Sequence, residues 1–177
     1  GASPITDAVN LYAIELIGEN IRPFVANRGN LNAGLMMLCA AGLTGMAFGI
    51  TGAGNVHCMA RFVGAFFHVS HGLSNAVCLP YAANFNVIAN PKKFARVALA
   101  MGENIHGLTD LEAGKKAVAA IKSLNEDLGI PEKLRDIGAE EDKLPEMARL
   151  CFQANYNQWN PRHTTTEDFL ELFKKAY

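Results

Sequence analysis

The chain has 177 residues, which is enough for one domain with a buried core and too short for two ordinary domains. Half of the residues are hydrophobic, 19% are charged, and the formal net charge at pH 7 is -1. This balance is typical of a soluble globular protein. It argues against nucleic acid or an anionic membrane surface as a partner, because both attract an excess of positive charge. We therefore expect a single domain over residues 1–177.

The four cysteines are spread through apolar segments, and no two of them form a CxxC pair: Cys39, Cys58, Cys78 and Cys151. This spacing favours buried, reduced thiols over a disulfide framework or a zinc site built from cysteines. Reduced thiols predict a cytoplasmic protein. The sequence starts at Gly1 without a targeting signal, and we expect further sequence upstream of it.

Helical signals follow one another along the chain, whereas alternating strand patterns, internal repeats and low-complexity segments are absent. Proline, glycine and capping residues set the predicted bounds. The predicted helices cover residues 4–23, 31–48, 56–67, 72–84 with Pro80 inside, 91–101, 111–128, 140–156, and a last helix from a capping box at 165–168 to about 177. The predicted fold class is all-α.

Residues 29–56 contain no charged side chain, which raises two interpretations. A membrane span needs ~20 apolar residues, and this run is long enough. A helix surrounded by other helices in a soluble core gives the same pattern. The polar residues within the run favour the core helix, so we expect residues 31–48 to be wholly buried. We also expect its glycines to admit close neighbours: Gly34, Gly42, Gly45 and Gly49.

Three of the five histidines lie in one short apolar region: His57, His68 and His71. Neutral imidazole is a common ligand of zinc and iron, although a histidine in an apolar segment is also often a hydrogen-bonded core residue. On one straight helix, His57 and His71 would lie roughly 21 Å apart. Ligand nitrogens lie ~2.0–2.1 Å from a metal, so a shared ion requires the chain to fold back, which the glycine-flanked residues 64–72 allow.

Two histidines are too few for a catalytic metal site, which typically has three protein ligands and an open position. The sequence also lacks a dinucleotide-binding fingerprint. Gly49, Gly52 and Gly54 follow a predicted helix instead of a strand, and the GxGxxG pattern fails at His57. We expect these glycines to let the backbone pass close to a ligand or another helix.

Residues 52–60 (GAGNVHCMA) and 64–80 (GAFFHVSHGLSNAVCLP) resemble the signature of the group III, iron-type alcohol dehydrogenases. Residues 2–8 are similar to the segment that follows the first ligand motif of this family, and residues 160–162 are similar to one of its loops. The resemblance covers nearly the whole chain. It implies the C-terminal helical array of these enzymes, which is similar to that of dehydroquinate synthase.

The resemblance implies that His57 and His71 are the last two of four ligands to a divalent iron or zinc ion. An aspartate and a histidine upstream of Gly1 would supply the other two. It also implies NAD(P)-linked oxidation of a small alcohol, or reduction of an aldehyde, with the metal acting as a Lewis acid. Because the NAD-binding α/β domain would also lie upstream, we expect this chain alone to be inactive and to hold neither metal nor NAD(P) tightly.

Arg61 stands one helical turn after His57, where the family usually has a histidine. Arginine is permanently charged and cannot relay a proton, so it would face an acidic substrate, face the cofactor phosphates or lie on the surface. The resemblance gives His68 no ligand role. His106 and His163 are predicted to face solvent in loops.

A non-catalytic interpretation stays open beside the enzymatic one. In it, the chain is a helical scaffold or oligomerisation domain in which His57 and His71 are vestigial. Homo-oligomers fit both interpretations, and the sequence does not choose among alcohol and aldehyde substrates. An upstream nucleotide-binding domain with an Asp-x-x-x-His helix would distinguish the enzyme from the scaffold.

Overall fold

The computed structural model describes residues 2–154 and 156–177, and within them every regular element is helical. The α-helices of this part of the chain are α1 (Pro4–Ala26), α2 (Leu31–Thr51), α3 (Asn55–Phe67), α4 (His71–Asn86), α5 (Pro91–Ala100), α6 (Asp110–Asp127), α7 (Leu144–Gln153) and α8 (Thr166–Ala176). Short 3-10 helices lie at Val87–Ala89, Leu134–Ile137, Glu141–Lys143 and Tyr156–Trp159. The all-α prediction is confirmed.

Prolines and caps explain most of the helix bounds. The predicted capping box at Thr165 and Asp168 is present at the start of α8. The helix predicted over residues 140–156 is shorter than expected, because Pro145 lacks an amide donor and suits only the first turn of α7. Asn155, which belongs to that predicted helix, lies outside the described residues. Pro23, predicted to end α1, lies inside it, and α1 continues to Ala26.

The chain divides into two compact units, and the prediction of one domain over residues 1–177 stays a prediction. The first unit comprises Gly1–Gly52 with Pro91–Ala120, and the second comprises Ala53–Asn90 with Ile121–Tyr177. Each unit has its own buried apolar cluster. The larger cluster belongs to the second unit, where α3, α4, α7 and α8 pack on one another.

In the first unit, α2 packs on α1 and buries one narrow face of small side chains. Ala33, Ala40 and Ala47 share this face at seven-residue spacing. The remaining faces carry large apolar side chains that are exposed, including Leu31 at 81% and Leu38 at 72%. The expectation that this helix is wholly buried is therefore wrong for this chain. An apolar composition on all sides does not show which sides are covered.

The glycines of α2 also differ from expectation. Gly34 is approached closely, since a Cβ placed there would lie 2.9 Å from the ring of Phe24. Gly42, Gly45 and Gly49 have no such neighbour within 4 Å. Among the described residues, α2 is the one helix that is long and apolar enough to span a membrane. Length and composition alone do not show a membrane span, because core helices of soluble proteins have both properties.

Three of the four cysteines are buried in the core of the second unit, and all four are free thiols. The Sγ atom of Cys58 donates to the main-chain oxygen of Cys151 at 3.3 Å. Burial raises the pKa of Cys78 to about 12 and also raises the pKa of Cys151. These thiols are inert core residues, as predicted. The prediction of burial is wrong for Cys39, which is exposed on α2.

The chain reverses between α3 and α4 within three residues. His68 ends α3 in the left-handed conformation, with φ of 54°. The main-chain oxygen of Val69 then lies over α3 at Gly64, where a Cβ atom would approach it to 3.1 Å. The absence of a side chain at Gly64 thus lets the reversal lie flat on α3 and sets the position of His71, the first residue of α4.

Replacing Gly64 with alanine should destabilise the second unit, or at best leave its stability unchanged. The gain in helix propensity, up to about 1 kcal/mol, is offset by the contact with the Val69 oxygen. Gly72→Ala is the matched control, because a Cβ at Gly72 meets nothing within 4 Å. That variant should gain a few tenths of a kcal/mol to about 1 kcal/mol. Urea unfolding measures both, and an equal gain in both variants would contradict the role of Gly64.

Candidate metal centre

The two predicted ligand histidines meet at the beginnings of two consecutive helices. His57 lies in the first turn of α3 and His71 is the first residue of α4. Their ring centroids are 5.4 Å apart, with an interplanar angle of 53°. Two imidazoles bound to one tetrahedral ion at ~2.0–2.1 Å have centroids roughly 5 Å apart. The predicted approach of the two rings is therefore found, while their role as metal ligands stays a prediction.

The donor set at this place is incomplete within the described part of the chain. No group of three or more His, Cys, Asp or Glu side chains in residues 2–154 and 156–177 could hold a metal ion together. His71 is exposed and His57 is partly buried, so the pair is open on one side. A pair of histidines with an open side suits an ion whose other ligands come from elsewhere.

Asn75, one turn after His71 on α4, orients the His71 side chain. Its Nδ2 atom donates to the main-chain oxygen of His71 at 2.8 Å and lies 3.0 Å from Nε2 of the same residue. Because an amide nitrogen only donates, Nε2 is the accepting nitrogen and the ring proton belongs on Nδ1. The lone pair of Nε2 thus accepts from Asn75 in this structure, and a metal ion bound at Nε2 would displace that contact.

Asn75 also leaves one polar atom unmatched beside this histidine. Its Oδ1 atom is buried and has no hydrogen-bond partner in the structure. Buried acceptors without a partner are rare and mark places where a water or ligand donor belongs. The sequence analysis missed Asn75, although its i+4 spacing from His71 is a signal that could have identified it.

The surroundings of His57 favour its neutral imidazole. Burial lowers the pKa of His57 below its ordinary value, and the nearby His71 lowers it further by charge repulsion. His57 is therefore neutral at pH 7, which is the state that binds a metal ion.

The other three histidines, His68, His106 and His163, are exposed. His68 is the C-cap residue of α3, and its lack of a ligand role stays a prediction. His106 and His163 are exposed as predicted. Gly52 has φ of 74°, which favours glycine, and a Cβ at Gly54 would lie 3.0 Å from a side-chain oxygen of Asn160. A close approach therefore occurs at Gly54, but to a loop side chain and not to the ligand or helix that was expected.

Arg61 is exposed on α3, with its guanidinium carbon 5.6 Å from the ring centroid of Phe62. Within the described residues it forms no salt bridge. A cation without an ion partner beside a metal-ligand candidate fits an acidic substrate, a cofactor phosphate and solvent equally well.

A His71→Ala variant should raise the pKa of His57 partway toward its ordinary value. The rise is partial because burial, the larger cause, remains. The folded chain binds this proton less tightly than the unfolded chain, so the free energy of unfolding falls as the pH drops below about 6.5 toward the pKa of folded His57. That fall should be smaller in His71→Ala. Ring NMR titration measures the pKa, and exposed His163→Ala is the control that should leave it unchanged.

Comparison with known proteins finds relatives that match along the whole chain. The family model described as "Fe-containing alcohol dehydrogenase family, C-terminal" matches residues 1–177. The 1,3-propanediol dehydrogenase of Klebsiella pneumoniae is 44% identical over 176 residues, which cover 99% of this chain and 46% of that protein. The lactaldehyde reductase of Escherichia coli (strain K12) is 37% identical over 177 residues, covering 100% of this chain and 46% of the relative.

Solved structures show the same fold. A crystal structure of 1,3-propanediol oxidoreductase superimposes with a TM-score of 0.97 at 44% identity, covering 99% of this chain and 46% of the solved one. The chain thus spans about half the length of the relatives it matches. On the match of the family model and of these relatives, the chain belongs to the iron-containing alcohol dehydrogenase family, whose C-terminal helical domain it represents.

Proposed function

We propose that this chain is the metal-holding part of an alcohol dehydrogenase that interconverts an alcohol and an aldehyde with NAD(P). The observation that carries the proposal is the approach of His57 and His71 to 5.4 Å at two helix beginnings. Both residues lie within the segments that resemble the family signature. The chain itself supplies two nitrogen donors, and the rest of the polypeptide would supply the remaining ligands and the nucleotide-binding domain.

The residues present fit a divalent iron or zinc ion in their donor type and spacing, and the lowered pKa of His57 favours the neutral form that binds a metal. When bound, such an ion would supply Lewis-acid polarisation of the alcohol or aldehyde oxygen. The described residues would contribute positioning. Neutral His57 would hold the ion from α3 and His71 would hold it from α4. Asn75 would release Nε2 of His71 to the ion and keep its hydrogen bond to the main-chain oxygen of His71.

The substrate proposed here is a small alcohol or aldehyde. Relatives at 35–44% identity carry the names 1,3-propanediol dehydrogenase, NAD-dependent methanol dehydrogenase, lactaldehyde reductase and sulfoacetaldehyde reductase. The substrates in these names all have short carbon chains, and they differ in charge and in substituents. The names support the reaction class and the size of the substrate, and they leave its identity open.

We further propose that the upstream half of the protein covers the exposed face of α2. This face carries Leu31, Leu38, Met46 and Ile50, each more than 60% exposed. Contiguous apolar surface of this kind on a soluble protein marks an interaction site. The relatives are about twice as long as this chain, so additional polypeptide is available to cover it. The free, buried thiols and the bacterial relatives support a cytoplasmic enzyme.

Metal binding should depend on both histidines in the longer polypeptide, in which the upstream half of the relatives precedes this chain. His57→Ala and His71→Ala should each lower the affinity for Fe²⁺ or Zn²⁺ by more than roughly tenfold, the smallest effect expected even for an outer partner. Exposed His106→Ala is the control. The metal content of each protein after dialysis measures this effect. If both alanine variants retained one equivalent of metal per chain, His57 and His71 would not be metal ligands.

The chain alone should produce no NADH above background from NAD and short alcohols or diols, with Fe²⁺ or Zn²⁺ added. It lacks a strand–glycine–helix unit for the pyrophosphate, and within its described residues no third metal ligand joins the two histidines. Absorbance at 340 nm measures the reaction. Turnover by the chain alone that His71→Ala abolishes would contradict this prediction.

The non-catalytic scaffold makes a different prediction for the longer polypeptide. The exposed apolar face of α2 supports that alternative, because such a face also suits association between copies. A longer polypeptide that binds no metal and oxidises no alcohol, but forms a stable oligomer through α2, would favour the scaffold over the enzyme. Metal-dependent NADH formation would favour the enzyme.

A further inference from the structure

We propose that Asn160 is a positioning residue of the metal centre, acting through the first turn of α3 on His57. Asn160 belongs to the loop between Tyr156–Trp159 and α8, far from His57 in sequence. The proposal rests on the proposed metal role of His57, but the contacts that carry it are independent of any metal. All of them lie within the second unit of the chain.

The first turn of α3 receives its cap from this distant loop. Gly54, the residue before the helix, offers no side chain to the free amides of the first turn. Instead, Oδ1 of Asn160 accepts a hydrogen bond from the main-chain amide of Asn55 at 3.2 Å, across 105 residues of sequence. The same oxygen would lie 3.0 Å from a Cβ at position 54, so glycine at that position makes room for it. Asn160 therefore replaces the missing local cap.

The orientation of the Asn160 amide is determined by its partners. Its Nδ2 donates to Oδ1 of Asn86 at 2.8 Å, and its Oδ1 accepts from Nδ2 of Asn86 at 3.0 Å. Nδ2 also donates to the main-chain oxygen of Arg162 at 2.7 Å. Turning the amide over would break the bonds to the main chain at Asn55 and Arg162, because neither atom could change its role. The acceptor thus faces α3.

The loop is itself anchored on both sides. Arg162 donates from Nη1 to the main-chain oxygen of Phe85 at 3.0 Å, and its guanidinium carbon lies 3.9 Å from the centroid of the Phe85 ring. Nδ2 of Asn55 donates to Oγ1 of Thr164 at 2.8 Å, and both residues are buried. These contacts tie the beginning of α3 to the end of α4 through residues 160–164.

The anchored turn is the one that carries His57. His57 lies two residues after Asn55, and the amide of Cys58 makes the first hydrogen bond of the helix, to the oxygen of Gly54 at 3.2 Å. First turns without a cap fray, and fraying here would move the imidazole away from His71. Ligand side chains must be held within about 0.5 Å of the binding geometry, so loss of this cap would affect the metal pair more than the core.

Three variants separate positioning of His57 from general stabilisation of the unit. Asn160→Ala removes the cap. Asn160→Asp keeps an acceptor oxygen toward Asn55, but its second oxygen replaces the donor to Asn86 and to the main-chain oxygen of Arg162, so it should restore the cap only in part. Thr165→Ala is the matched control, because it removes the side-chain cap of α8 in the same unit without touching α3.

Two measurements on this chain without metal test the positioning role. The first is hydrogen exchange at the amides of Cys58 in α3 and Phe169 in α8. The second is the intensity of NOEs between the rings of His57 and His71. Asn160→Ala should speed exchange at Cys58 at least tenfold more than at Phe169 and weaken the ring NOEs. Thr165→Ala should show the reverse preference and keep the NOEs, and Asn160→Asp should fall between the unaltered chain and Asn160→Ala. Equal changes at both amides in Asn160→Ala, with intact NOEs, would overturn the proposal.

Cobalt binding by the longer polypeptide then tests the link to the metal. Asn160→Ala should lower Co²⁺ affinity by roughly tenfold or more, as removal of an outer partner does, whereas Thr165→Ala should leave it unchanged. A loosened first turn with undiminished Co²⁺ affinity would overturn the positioning role. Failure of the unaltered protein to bind Co²⁺ through His57 and His71 would instead remove the proposed function and leave the exchange result standing.

Discussion

The reversal of the chain at residues 68–70 is the constraint on which the candidate site depends. It needs a left-handed residue at His68 and a glycine at Gly64, so that the oxygen of Val69 can lie against α3. Without the reversal, His57 and His71 would be separated by roughly the length of a helix. With it, their rings lie 5.4 Å apart. Asn75 and Asn160 act on side chains that this turn has already brought together.

The close approach of His57 and His71 is not favourable in itself. Two imidazoles held close together repel one another when protonated, and partial burial also disfavours the charge on His57. Helices α3 and α4 both contribute buried side chains to the core of the second unit, so their packing keeps the two histidines close. Functional sites are the places where a fold accepts such local conflicts.

The sequence predicted what depends on neighbours along the chain. Helix α8 follows from the capping box at Thr165, and the reversal near Gly64 follows from the spacing of glycines. It did not predict what depends on distant contacts. Asn160 precedes a proline and looks like ordinary turn chemistry, whereas its partner Asn55 is 105 residues away. Likewise, the uniformly apolar α2 gave no sign that its outer faces are exposed in this chain.

The incomplete set of metal donors in the second unit and the exposed apolar side chains in the first unit can be explained together. The second unit offers two metal donors where a catalytic site needs at least three, and the first unit leaves apolar side chains of α2 in water. A second copy could cover α2, because apolar burial requires only a complementary surface. It would add a ligand only if one of its own histidines or carboxylates reached the His57–His71 pair. The longer polypeptide of the relatives accounts for both features at once, since it brings new apolar surface and new donor side chains together.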